Sequence, residues 1–210
     1  MAQILVVDDH PLIRKGIVDV LKDEFPQSTI IQASDAVQTM AAVWDQQVDL
    51  VLLDLSLPGR SGLELLKEVK SARPKLPVLI LSMYPEEQFA TRALRAGAAG
   101  YLSKDTPSDK LIQAVRRALA GGKFVSQETA ERLAAELTID TSKPLHEQLS
   151  DREYDIMLRL ASGQGVSDIA ATLNLSVKTV STYRTRLLNK MGKQNNAELT
   201  QYAIRNKLIE

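Results

Sequence analysis

Five times between Ile4 and Leu119 a short strand-like segment gives way to a helical pattern. The strand segments are Ile4–Val7, Thr29–Ala33, Leu50–Leu53, Val78–Leu81 and Gly100–Ser103. Three of them, ILVV, LVLL and VLIL, are unbroken apolar runs. A strand with one wet face alternates apolar and polar residues, so an unbroken run points to burial on both faces, as in a parallel sheet. The intervening segments carry helical spacing. Ile13, Ile17, Val20 and Leu21 share one face behind Pro11, Leu63, Leu66 and Val69 share another over Gly62–Ala72, and Leu111, Ile112, Val115 and Leu119 share a third. Ala36–Asp45 and Glu86–Ala96 complete the series. The alternation predicts an α/β unit, a parallel five-stranded sheet with helices on both faces and right-handed crossovers.

In such a sheet all strands end at one edge, and ligands bind outside those ends. Here the ends collect Asp8, Asp9, Asp54, Ser82 and Lys104. Asp54 closes the LVLL run, and Pro58 and Gly59 then break the chain. A strand-ending aspartate taken singly is an ordinary loop cap. Five polar ends gathered at one edge carry more weight than any one of them. Three carboxylates held together repel, and a hard divalent cation relieves the conflict. Oxygen ligands without cysteine select Mg²⁺. His10 follows the acid pair but is a poor ligand for that ion. A carboxylate beside Mg²⁺ is a candidate nucleophile for a phosphoryl group, whose oxygens need a fixed cation and a hydroxyl. Lys104 and Ser82 supply both.

The chain has 210 residues, no cysteine and two histidines, which excludes disulfides and thiolate metal sites. No apolar run approaches the roughly 20 residues of a membrane span, and Met1-Ala2-Gln3 runs straight into a strand, so the expected location is the cytoplasm. The formal net charge of zero conceals an asymmetry. Residues 150–210 hold nine Lys/Arg and six Asp/Glu, whereas residues 1–149 hold seventeen and twenty. Between Ser176 and Lys207 there are seven basic residues and one acid, Glu198. A neutral chain with a basic end suggests two jobs, one of them on nucleic acid.

Ser126–Leu137 reads as a helix capped by Ser126, and Thr138–Leu149 as a linker without periodicity. A second unit opens at Ser150 with the capping box S-x-x-E. Its helices run to about Ser162, over Val166–Leu173, over Val177–Met191 and from about Asn196 to Asn206. The expected division is 1–122, 123–149 and 150–210. A short helix, a tight turn at Asn174-Leu175 and a longer helix form a helix-turn-helix pattern within an all-α four-helix unit. On Val177–Met191 the residues Val180, Leu187 and Met191 point inward. Lys178, Ser181, Thr182, Thr185 and Asn189 form a polar stripe flanked by Arg184, Arg186 and Lys190, with Thr179 beside it. Small hydroxyls between long cations suit a major groove, hydroxyls to base edges and cations to phosphates.

ILVVDDHP, DLVLLDLSLPGRSGLELL, VLILS and RALRAGAAGYLSKD resemble the receiver domain of two-component response regulators. LSDRE, VSDIAATLNLSVKTVSTYRTRLLNKM and AELTQYAIRNKLI resemble the LuxR-type helix-turn-helix, so the whole chain is similar to the NarL/FixJ subfamily. The resemblance implies a flavodoxin-like fold with strand order 2-1-3-4-5. It implies Asp54 as phosphoacceptor, and Mg²⁺ held by Asp8, Asp9, Asp54 and the backbone carbonyl of Ser56. It also implies Ser82 and Tyr101 as the switch pair and Lys104 as the phosphate-binding lysine. The implied activity is transcription regulation by a DNA-binding protein that a sensor histidine kinase phosphorylates. Its partners would be duplex DNA, that kinase, a second copy through the final helix, and RNA polymerase, with no membrane and no enzymatic activity beyond loss of its own phosphate. Tyr183 stands where the family often has histidine, and Asn196 where it often has a basic residue. Two other readings of the residues are an aspartyl-phosphate phosphohydrolase, which Ser56 disfavours by standing where a second acid belongs, and a regulator of protein or RNA.

Overall fold

The computed structural model describes residues 1–58, 60–138 and 144–209. Gly59, residues 139–143 within the expected linker, and Glu210 lie outside the described residues. The chain forms two compact units, Met1–Leu137 and Thr138–Glu210.

In the first unit β1 (Gln3–Val7), β2 (Thr29–Ala33), β3 (Leu50–Leu53), β4 (Val78–Ser82) and β5 (Gly100–Ser103) form one parallel sheet, ordered β2-β1-β3-β4-β5. The two central runs predicted to be dry are so: every residue of β3 and of β4 is buried. Edge strand β2 is wet over most of its length, and its sequence TIIQA lacks the unbroken run. The helices α1 (Pro11–Glu24), α2 (Ala36–Asp45), α3 (Gly62–Ala72), α4 (Glu86–Arg95) and α5 (Ser108–Leu119) fall where the spacing places them, within a residue. Along β1, β3 and β4 alternate residues face opposite sides. Ile4, Val6, Leu50, Leu52, Leu79 and Leu81 meet Ile17, Val18 and Leu21 of α1 and Leu111, Ala114 and Val115 of α5 in one cluster.

Local chemistry sets the helix ends. Pro11 occupies the first turn of α1, where its missing N–H costs nothing. Asp35 caps α2 by accepting from the Gln38 amide at 2.9 Å. Helix α6 (Gln127–Thr138) is capped by Ser126, which accepts from the Thr129 amide at 3.1 Å. Its last residue, Thr138, was expected to begin the linker, and the described part of that linker holds a 3₁₀ turn at Leu145–Gln148. One such turn is too short to leave a periodic trace.

The second unit comprises α7 (Asp151–Ala161), α8 (Val166–Thr172), α9 (Val177–Met191) and α10 (Asn196–Arg205). Both halves of the Ser150 capping box form. Ile156, Leu160, Ile169, Val180, Leu187, Met191, Leu199 and Ala203 are buried in its core. The turn between α8 and α9 passes through Asn174 at φ 51°, a conformation asparagine tolerates. Gly192 ends α9 at φ 61°. Among the described residues no helix is long and apolar enough to cross a membrane.

Two glycines should respond to alanine with opposite signs. A Cβ on Gly62 would run into Leu55 Cα and the Asp54 carbonyl oxygen, directly behind the strand-end carboxylate. On Gly16, inside α1, it would meet nothing within 4 Å. Gly62→Ala is expected to destabilise the fold by about 1–3 kcal/mol. Gly16→Ala is expected to stabilise it by about 0.5–1 kcal/mol. Urea unfolding of the two variants checks both signs.

Candidate functional site

The parallel sheet brings Asp8, Asp54, Ser82 and Lys104 to one edge. The Asp54 amide donates to the Val7 carbonyl at 3.0 Å, which locks the end of β3 beside that of β1. The Lys104 amide donates to the Ser82 carbonyl at 2.8 Å and aligns β5 with β4. From there the Lys104 ammonium crosses the sheet edge. Its Nζ lies 2.7 Å from Asp54 Oδ2 and 2.8 Å from Asp8 Oδ2. All three side chains are almost wholly buried.

The remaining atoms complete an acidic pocket. Asp54 Oδ1 accepts from the Ser56 amide at 3.1 Å. Asp8 Oδ1 accepts from the His10 amide at 2.8 Å, and Arg14 donates to the Asp8 carbonyl. Asp9 is partly exposed, its Oδ1 2.8 Å from Nδ1 of the exposed His10 ring. Ligand atoms of Asp8, Asp9, His10 and Asp54 lie within 4.8 Å of one another. Burial raises the Asp54 pKa, and Lys104 offsets that only in part. For Lys104, burial acts downward but Asp54 and Asp8 outweigh it, so its pKa ends above the ordinary value.

A divalent cation suits this set. Three carboxylates share the pocket with one ammonium, which leaves two negative charges when all are ionised. Among the described residues the buried Asp8 Oδ2 meets the Lys104 ammonium at 2.8 Å and Asp9 Oδ1 meets His10 Nδ1 at 2.8 Å, and neither oxygen gains a further donor. Buried anionic oxygens with so few donors are costly, and coordination would satisfy them.

Ser82 is fully buried at the end of β4, and its Oγ accepts from the Tyr84 amide at 3.2 Å. Tyr101 lies on β5, buried, with its hydroxyl donating to the Tyr84 carbonyl at 2.8 Å. Burial pushes that phenol's pKa upward, against a hydrogen bond with Ser82. The Tyr84 backbone therefore touches both predicted switch residues, a role carried by peptide atoms that no side-chain motif reveals.

On α9, Lys178, Ser181, Thr182, Thr185 and Arg186 are exposed. Lys178, Thr179, Thr182, Tyr183 and Arg186 line a shallow cleft. Thr182 and Thr185 donate their hydroxyl protons to the carbonyls of Lys178 and Ser181, at 2.9 and 3.1 Å. The Thr179 hydroxyl lies 2.7 Å from Ser176 Oγ at the cap. Two of the flanking cations are held inside the unit. Arg184 Nε donates to Asn196 Oδ1 at 2.8 Å, and Lys190 Nζ donates to Glu153 Oε2 at 2.6 Å. These crossings between helices have no sequence signature, although Asn196 stood out for replacing a basic residue.

Comparison with known proteins agrees with both halves. The family "Response regulator receiver domain" matches residues 4–116, and "Bacterial regulatory proteins, luxR family" matches residues 147–203. The chain belongs to the two-component response regulators with a LuxR-type output domain. The response regulator UvrY of Escherichia coli is 34% identical over 99% of this chain and 96% of its own. A LuxR-family response regulator from Aurantimonas sp. has 31% identity and a TM-score of 0.59 over 66% of this chain and 99% of its own. The response regulator ChrA of a heme-sensing two-component system has 30% identity and a TM-score of 0.51 over 99% and 98%.

In this response regulator the strained charge at Asp54 has a measurable signature. Its folded pKa lies above the ordinary 3.8, so folding tightens its hold on a proton. The stability it confers is fully present below pH 3.8 and is lost as pH rises through the folded value. In metal-free buffer Asp54→Asn is expected to raise the urea midpoint at neutral pH. The advantage should vanish as pH falls below 3.8, where the carboxyl is neutral in both states. A variant less stable than wild type at neutral pH would mean that attraction to Lys104 outweighs burial.

Proposed function

We propose that this response regulator is a transcription regulator switched by phosphorylation of Asp54, with a sensor histidine kinase as donor and duplex DNA as target. The carrying observation is the Lys104 ammonium bridging buried Asp8 and Asp54 in a pocket with more carboxylates than cations, in one chain with a helix-turn-helix whose α9 exposes Lys178, Ser181, Thr182, Thr185 and Arg186. The proposed division is a receiver over 1–122, a helix and linker over 123–149, and a DNA-binding domain over 150–210, in the cytoplasm.

Asp8, Asp9, Asp54 and the Ser56 carbonyl would hold Mg²⁺, which when bound neutralises charge on the phosphoryl oxygens. An Asp54 carboxylate oxygen forms the new bond to phosphorus while the donor's P–N bond to histidine breaks. Lys104 exchanges its contact with Asp54 Oδ2 for the incoming phosphoryl oxygens, and Ser82 donates its hydroxyl to them. Tyr101, already buried beside Ser82, fills the space that the Ser82 hydroxyl vacates. Hydrolysis of the acyl phosphate returns the carboxylate, the only catalytic turnover proposed. Phosphorylation favours a homodimer that contacts DNA and, through it, RNA polymerase, with α10 as the contact between DNA-binding domains.

A small acyl-phosphate donor should add one base-labile phosphate, detected by intact mass, only with Mg²⁺ present. Asp54→Asn should abolish it, and Asp8→Asn with Asp9→Asn should weaken Mg²⁺ binding. Equal labelling of the Asp54→Asn chain would refute the assignment.

On DNA, Lys178, Ser181, Thr182 and Thr185 carry sequence choice, with Thr179 supporting the start of α9. With their protons committed to the helix, Thr182 and Thr185 present lone pairs. Those accept from the exocyclic amines of adenine or cytosine, the donors in the major groove. Replacing either by alanine should cost about 1–3 kcal/mol on a specific site and little on random DNA. Arg186→Ala should weaken both alike and reduce the salt slope by about 1. Arg184 and Lys190 also face phosphate in this reading, but each must leave a protein partner to reach it. Lys190→Ala should therefore cost less affinity than Arg186→Ala and more fold stability. Binding isotherms over a salt series separate these effects. Identical losses on every sequence for threonine and arginine variants would mean that α9 does not read bases.

A further inference from the structure

The segment from Ser82 to Glu86 is fastened at both ends. At one end Ser82 Oγ accepts from the Tyr84 amide, and the Tyr84 carbonyl accepts from the Tyr101 hydroxyl. At the other end stands Glu86, the first residue of α4. Its Oε1 accepts from the Ser126 hydroxyl and, at 2.7 Å, from the Thr129 hydroxyl. Ser126 is also the cap of α6, so the oxygen that closes that helix's first turn donates its own proton to Glu86. Thr129 is buried at 3% exposure, which keeps water from replacing the carboxylate.

Three further features make this joint specific. Among the described residues Glu86 forms no ion pair, so two hydroxyls from one helix turn carry its charge. Hydrogen bonds to an ionised acceptor are about twice as strong as neutral ones. Between Tyr84 and Glu86 lies Pro85, at φ −55°, whose ring removes one of the few torsions that could absorb a shift. Just before Ser126 the chain is pinned to the sheet, the Phe124 amide donating to the Ala99 carbonyl at 2.8 Å. Helix α6 thus enters from a fixed edge, and its first turn is tied laterally to α4 by Glu86.

We propose that Glu86 is a positioning residue that couples the phosphoacceptor site to α6, holding Ser126 and Thr129 while Asp54 is unmodified and releasing them when Asp54 is phosphorylated. The inference rests on the receiver reading above. A Ser82 hydroxyl drawn to the phosphoryl oxygens gives up the Tyr84 amide, so the Tyr84 peptide loses one of its two ties and keeps the Tyr101 hydroxyl as a pivot. Tyr84 then shifts, and Pro85 passes the shift to Glu86. Helix α6 is the last element of the first unit before the chain continues to residue 150, so its release is a message addressed to the output half.

Amide hydrogen exchange across residues 123–134 of the full chain tests this, with phosphate on Asp54 measured by mass in the same samples. In wild type, phosphorylation should speed exchange of the first turn of α6 by roughly tenfold or more. Thr129→Val keeps the buried shape and removes one hydroxyl. It should exchange fast without phosphate and gain little with it, while taking up phosphate as wild type does. Thr129→Ser should restore the wild-type contrast, and Glu86→Gln, which keeps an acceptor without its charge, should fall between. A chain that takes up no phosphate would refute the receiver reading and the coupling with it. A fully phosphorylated wild type with unchanged α6 exchange would refute the coupling alone. So would a Thr129→Val chain that keeps the full phosphate response.

Discussion

One ammonium holds the strand ends of this receiver together. Lys104 leaves β5, crosses β4 and settles between carboxylates at the ends of β1 and β3. Every other part of the first unit serves that reach. Parallel pairing brings the ends to one edge, dry central strands keep the local dielectric low, and α1 and α5 seal the sheet below. In such surroundings charges interact far more strongly than in water, so the Lys104 position responds to any change at Asp54. The arrangement is also incomplete by design of its charges, since three acids exceed one lysine. A site balanced by lysine alone would have no need of a metal ion and little response to phosphate.

The sheet was legible because its information is local and repeated. LVLL and VLIL announce burial on both faces, and parallel topology then dictates that Asp54, Ser82 and Lys104 share an edge. Helix caps at Ser126 and Ser150 were readable for the same reason, because the cap and its amide lie within three residues. The edge strand β2 and the single 3₁₀ turn at Leu145–Gln148 show where that reasoning weakens. One has too little burial to impose a pattern, and the other has too few residues.

What stayed hidden were long side chains that cross between elements. Lys190 and Glu153 are 37 positions apart, Glu86 and Thr129 are 43. Nothing in either neighbourhood names the partner, because a charged surface residue and a buried tie look alike in one dimension. The Tyr84 backbone is harder still, since peptide atoms carry no residue identity. The α9 stripe illustrates the difference: helical spacing predicted which residues face outward, but not that two of its flanking cations would be held by neighbours.

The pairing of Lys190 with Glu153 has a consequence for binding thermodynamics. Glu153 Oε2 receives both the Lys190 ammonium and the Ser150 amide, so one carboxylate oxygen closes the first turn of α7 and anchors the last turn of α9. A DNA phosphate that attracted Lys190, as proposed, would compete with that carboxylate for one ammonium. Linkage makes the competition reciprocal. On the proposed DNA reading, a bound phosphate would loosen the start of α7, and a frayed α7 would free a cation for DNA. Where Lys190 meets a phosphate as proposed, grip on the duplex and order in the first turn of α7 would become two readings of a single equilibrium.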